Sequence, residues 1–119
     1  MNSVEQAVET LFAALEGVAG LRVVRGVGMR MDPPAATVAP PRISWGAFDD
    51  DPTEASFTVP VVVAQSERAL AELLTWVLPV RAALAETGAA VGPAEPGTWP
   101  AGGGVELPAY LITVEVGLL

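Results

Sequence analysis

Three consecutive aspartates, Asp49, Asp50 and Asp51, with Glu54 close behind, form a dense set of potential ligands. Carboxylate oxygens at that density suit a hard cation. The spacing fits no calcium-binding loop, however, and Pro52 follows directly. Aspartate favours turns by bonding its own backbone, so the run reads first as a solvated turn, and second as part of an acidic assembly surface. Gly102-Gly103-Gly104 offers a different chemistry. A phosphate cradle needs a glycine loop that leads into a helix and carries a lysine. Here a strand pattern follows and the chain has no lysine, so a flexible loop is expected. Ser3, Ser44, Ser56 and Ser66 have no histidine to activate them, because the sequence contains none. Cysteine is absent too, which removes thiolate chemistry and a disulfide framework. Carboxylates are plentiful, but none has a context that would set it apart as an acid or base. We expect no enzyme activity, no metal site and no cofactor.

The remaining side chains of interest suit contact better than catalysis. Arg22, Arg25, Arg30 and Arg42 cluster before the acidic turn. A nucleic-acid patch is one reading, but the net charge of −8 opposes it. Pairing with carboxylates of the same or a neighbouring subunit fits better. Trp45 and Trp76 are expected in the core or at its margin. Trp99 lies in a Pro/Gly-rich stretch. It either folds back on its own domain or anchors in a partner's pocket, a role in which tryptophan is over-represented. The candidate assembly contacts are Arg30, Arg42, Asp49, Asp50, Asp51, Pro60 and Trp99.

These residues must be positioned by a single domain. A chain of 119 residues, 51% apolar and 17% charged, can bury one core. No apolar run reaches the ~18 residues that suggest a membrane span. The first ten residues carry two acids and no base, which argues against a signal peptide and for intracellular folding.

Residues 55–86 organise the rest. Phe57, Val59, Val61 and Val63 alternate onto one strand face. Ser66 is placed to cap a helix over 67–86, with Leu70, Leu73, Leu74, Val77 and Leu84 at helical spacing and Pro79 expected to kink or split it. Ser3 and Gln6 suggest a capping box for a first helix over 3–16, with Val4, Val8, Leu11, Phe12 and Leu15 as its apolar face. Strands are expected at 21–25, 42–48, 55–64 and 109–118, with a brief edge strand at 37–39. Pro60 cannot donate to a ladder, which places its strand at an edge or a bulge, where another subunit could join. Residues 26–41 read as a flexible arm and 89–104 as a loop. The expected fold is α+β: one mostly antiparallel sheet with two helices packed on one face.

In this order, the helix, the proline-rich segment ending in PPRISWGAF, the acidic turn, FTVPVVVAQ, SERALAELL and the closing YLITVEVGL resemble the tail terminator (tail completion) proteins of long, non-contractile-tailed bacteriophages, particularly those of actinobacterial hosts. The resemblance spans nearly the whole chain. It implies a structural virion protein that assembles in the host cytoplasm and forms a hexameric ring at the neck. Such a ring caps the head-proximal end of the tail tube, ends tube polymerisation and meets the head-closure or connector protein. Its partners would be further copies of itself, the tail tube protein and that connector. Genomic DNA would pass through the channel without specific binding, and no membrane is involved. Another neck protein is the alternative, and a small non-enzymatic ligand-binding module is a further one.

Overall fold

Most of the sheet is built on one strand. In the computed structural model, which describes residues 2–26, 28–48 and 50–118, that strand is β4 (Pro52–Val62). Along one side it pairs with β6 (Val105–Gly117), antiparallel over nine residue pairs from Glu54–Gly117 to Val62–Ala109. Its other side is shared. β2 (Ala35–Thr37) holds the C-terminal end through Ala35–Val62 and Ala36–Val61, and β3 (Arg42–Trp45) holds the N-terminal end from Arg42–Ser56 to Trp45–Pro52. β1 (Arg22–Val24) adds in parallel outside β2, and β5 (Ala90–Gly102) adds antiparallel outside β6. The sheet order is β1-β2-β4-β6-β5, with β3 beside β2 on β4.

Consecutive strand residues face opposite sides, and the two sides of β4 have different covers. Ala55, Phe57, Val59 and Val61 point to the helices α1 (Ser3–Glu16) and α2 (Ala69–Ala85). There they join Leu11, Phe12 and Leu15 of α1, Val80 and Leu84 of α2, and Ile112 and Val114 of β6 in the main core. Fully burying each such large apolar side chain contributes about 1.5–3 kcal/mol. The expected α+β layout, with both helices on one face of a mostly antiparallel sheet, is the observed one. On the other face Val62 meets Met31, Ala35, Ala101, Leu107 and Ala109 in a second, smaller core.

Several local expectations change. Pro60 is neither exposed nor at an outer edge: it is fully buried in β4 and pairs with Leu111 of β6. The missing donor is still accommodated. The β2 ladder ends at Ala36–Val61 and the β3 ladder begins at Arg42–Ser56, so Pro60 falls in the interval between them. Pro60 is therefore withdrawn as an assembly contact. Residues 89–104 do not form a loop. Residues 90–102 are β5, the outer strand of a hairpin whose turn, Gly102-Gly103-Gly104, has φ of 103°, 62° and 78°. Left-handed backbone of that kind suits glycine. Pro93, Pro96 and Pro100 are tolerated because β5 is a sheet edge, and register shifts fall between Val91 and Ala94 and between Pro100 and Gly102. Two strands of 13 residues set the molecule's 51 Å long axis.

The 26–41 segment is not a free arm in this structure. Its strand lies at Ala35–Thr37, not 37–39, and is buried throughout. Met31 is buried as well, and its N–H donates to the Ala101 carbonyl at 3.0 Å, which fastens the segment to the tip of the β5–β6 hairpin. The N-terminal cap is Asn2, not Ser3: its side chain accepts from the Glu5 N–H at 2.8 Å, and Glu5 reaches back to the Asn2 N–H. α2 starts two residues later than expected, without a side-chain cap, because the Ser66 hydroxyl accepts from Arg68 N–H in the turn before it. Pro79 does not split the helix, which runs unbroken through it.

Candidate functional site

The structure spreads the candidate residues over more than one surface. At one end of the sheet, beyond the β3–β4 turn, Asp50 and Asp51 are exposed, while Asp49 lies outside the described residues. They border an open groove of about 720 Å³ walled by Val4 of α1, Ile43 and Trp45 of β3, Pro52 and Leu118. Trp45, expected in the core, is 55% exposed in this wall. The cause is position: β3 is an outer strand whose face runs past the N-terminus of α1, so no helix covers its end. Phe48, at the turn itself, is fully exposed with φ 67°. A bulky residue in the left-handed region is strained, and strain of this kind tends to mark working surfaces. Arg42 at the start of β3 is also exposed.

The arginines divide between α1 and the tip of the β5–β6 hairpin, where Arg30 lies against Gly102. Arg25 grips two carboxylates of α1. It meets Glu9 in a bidentate pair at 2.7 and 2.9 Å, donates through Nε to Glu16 at 3.2 Å, and sits with its guanidinium 4.9 Å from the centre of the Phe12 ring. Hydrogen bonds from Arg25 are the main reason the Glu9 and Glu16 pKa values fall below the ordinary glutamate range, although desolvation opposes the fall. The same bonds push the arginine's own pKa upward. This is the intrachain pairing expected for the cluster. Arg30 is exposed and pairs with Asp32 at 3.1 Å, beside a longer Arg22–Asp32 contact of 4.0 Å. Such exposed pairs add little stability, so Arg22 and Arg30 can exchange partners readily.

Trp99 lies on β5, half-buried against the second core, and not in a loop. With Val24, Met29, Met31, Pro40 and Pro100 it lines an apolar pocket of about 250 Å³. The Thr37 hydroxyl, a polar group in this wall, already donates to the Val24 carbonyl at 2.5 Å. Among the described residues the pocket therefore shows no convergent set of polar groups that would orient a small molecule.

One surface was not anticipated. Leu70, Leu74 and Leu78 recur every four residues along α2 and are 61%, 46% and 68% exposed. The helix buries Leu73, Val77, Val80 and Leu84 instead, an arc about a quarter turn away. Arg81 extends the exposed ridge and donates to the Val91 carbonyl of β5, which turns the ridge towards the β5 edge of the sheet. The clue in the sequence was an apolar arc wider than one core face requires.

Among the described residues, no group of three or more His, Cys, Asp or Glu side chains could hold a metal ion, and no helix is long and apolar enough to cross a membrane. No family model matches the chain, and no curated protein shows significant similarity to it.

Proposed function

We propose that this protein is a structural component of a phage virion, a terminator that closes the head-proximal end of the tail tube as a ring of identical subunits. The observation that carries the reading is the quantity of large apolar surface left uncovered. Met29, Trp45, Phe48, Leu70, Leu74, Leu78 and Val105 are all exposed on a chain of 119 residues. Contiguous apolar patches of that kind mark surfaces made for other proteins. The leucines lie on α2, Trp45 on β3, Met29 before β2 and Val105 at the tip of the β5–β6 hairpin, so a neighbour would be met at more than one place on the subunit.

In this role the surfaces divide the labour. Lateral contacts join subunits, and the ends of the domain meet the tail tube protein on one side and the head connector on the other. The net charge of −8 suits a collar through which DNA must slide, because carboxylates repel phosphates and offer them no grip. Enzymatic chemistry has no part in the role. A second reading, another neck connector, is favoured by one feature: the sheet is richer in strand than the sequence suggested, because β5 adds 13 residues to it.

Deleting the gene from the phage tests the proposal. The expected outcome, seen by electron microscopy of lysates, is filled heads beside tails that are overlong or unjoined. Normal-length tails already attached to heads would exclude the terminator role.

A further inference from the structure

We infer that the leucine ridge of α2 docks into the groove between α1 and the β3–β4 hairpin of a second copy of this chain. The inference deepens the ring reading and rests on it, since it names the two surfaces that would meet. The ridge is convex and apolar, with Leu70, Leu74 and Leu78 spanning about 12 Å of helix. The groove is concave, holds about 720 Å³ and carries Val4, Ile43, Trp45 and Leu118 on its walls. That space takes three leucine side chains.

Charge points to the same occupant. On α2 the ridge ends on Arg81, which is exposed and lies on the same arc as the three leucines. The groove carries the opposite sign: among the described residues its charged lining is Glu5, Asp50 and Asp51. With the ridge seated in the groove, Arg81 reaches this acidic lining. Rim charges of this kind set register and exclude wrong partners more than they add affinity.

The two surfaces cannot satisfy each other within one molecule. The ridge faces the β5 edge, where Arg81 bonds Val91, and the groove lies beside β3 on the opposite side of β4. A contact between two different patches is head-to-tail, so every subunit added leaves one ridge and one groove open until a ring closes. The ridge supplies the apolar centre of such a contact.

The test uses the full-length chain, sedimentation velocity over a range of concentrations, and two variants, Leu74→Arg and Trp45→Arg. Both positions are exposed, so each variant should keep the wild-type circular dichroism spectrum and melting curve. Wild type is expected to grow beyond a dimer with concentration. Each variant alone should weaken association at least about tenfold, as loss of a central anchor does. The decisive arm mixes the two. A Leu74→Arg subunit retains its groove and a Trp45→Arg subunit retains its ridge, so the mixture should form a dimer that grows no further. Variants that assemble like wild type, or a mixture that stays monomeric, overturn the assigned interface. Wild type that remains monomeric up to about 1 mM overturns self-docking altogether. The tail reading is judged separately, by the deletion phenotype.

Discussion

α2 carries leucines in two very different settings, and their substitution by alanine should separate sharply. Leu84 is completely buried against the main core, while Leu78 is 68% exposed on the ridge. Removing a buried leucine side chain costs about 2–5 kcal/mol, because transfer energy is lost and the cavity collapses only in part. At an exposed site the same change stays within about 0.5 kcal/mol. An unfolding entropy of ~2.1 cal/mol/K per residue gives about 0.25 kcal/mol/K for this chain. Leu84→Ala should then lower Tm by roughly 8–20 °C, and Leu78→Ala by no more than about 2 °C. Melting should be followed by circular dichroism at low protein concentration, so that self-association does not add to the stability of wild type. Repeating the melts at high concentration adds a second reading: the gap between wild type and Leu78→Ala should widen while the Leu84→Ala gap stays at least as large. Equal losses for the two variants at low concentration would refute the placement of the ridge on the outside of α2.

The arginine clamp and the β3–β4 turn give two further predictions. Arg25 holds Glu9 and Glu16 below their ordinary pKa range, so the clamp contributes fully above about pH 4.3 and is lost as pH falls through the depressed native values. Arg25→Met keeps the cover over Phe12 but not the charge, and should flatten that part of the acid-denaturation profile; an unchanged profile would contradict the clamp. Phe48→Gly releases left-handed strain of about 1–2 kcal/mol and forfeits no burial, so monomer stability in urea should stay level or rise by up to about 1 kcal/mol, whereas a clear loss would show that the aromatic ring packs on its own domain.

The parts of this fold that were legible in the sequence are those where one periodicity has one interpretation. The alternation through Phe57, Val59 and Val61, and through Ile112 and Val114, marks strands half-covered by helices, and those side chains are the core. The stripe of Leu11, Phe12 and Leu15 likewise sits where its spacing puts it. β5 was illegible because its sequence, AVGPAEPGTWPAG, has neither alternation nor strand propensity. It is a strand only because β6 offers a partner, and it tolerates three prolines because, among the described residues, no second strand pairs with it. α2 was legible as a helix but not in its orientation. Seven large aliphatic side chains surround it, and spacing alone does not say which four are covered. Trp45 failed for a related reason: alternation assigns a face to a residue, but only the extent of the helices decides whether that face is roofed. Of the candidate contacts, Asp50 and Asp51 line one groove, Arg42 stands exposed at the start of β3, Arg30 stands exposed beside Asp32, Trp99 lines an apolar pocket and Pro60 is buried. No sequence pattern would have grouped them so, because the grouping comes from the path of β3 along β4.

The proposed collar can be tested in the assembled particle. A cryo-electron microscopy reconstruction of the virion neck should contain a closed ring of this chain between the last layer of tail tube protein and the head connector. In that ring the ridge of α2 should lie against the β3 side of the adjacent subunit. A neck map without this fold, from particles whose head and tail are joined, would contradict the account.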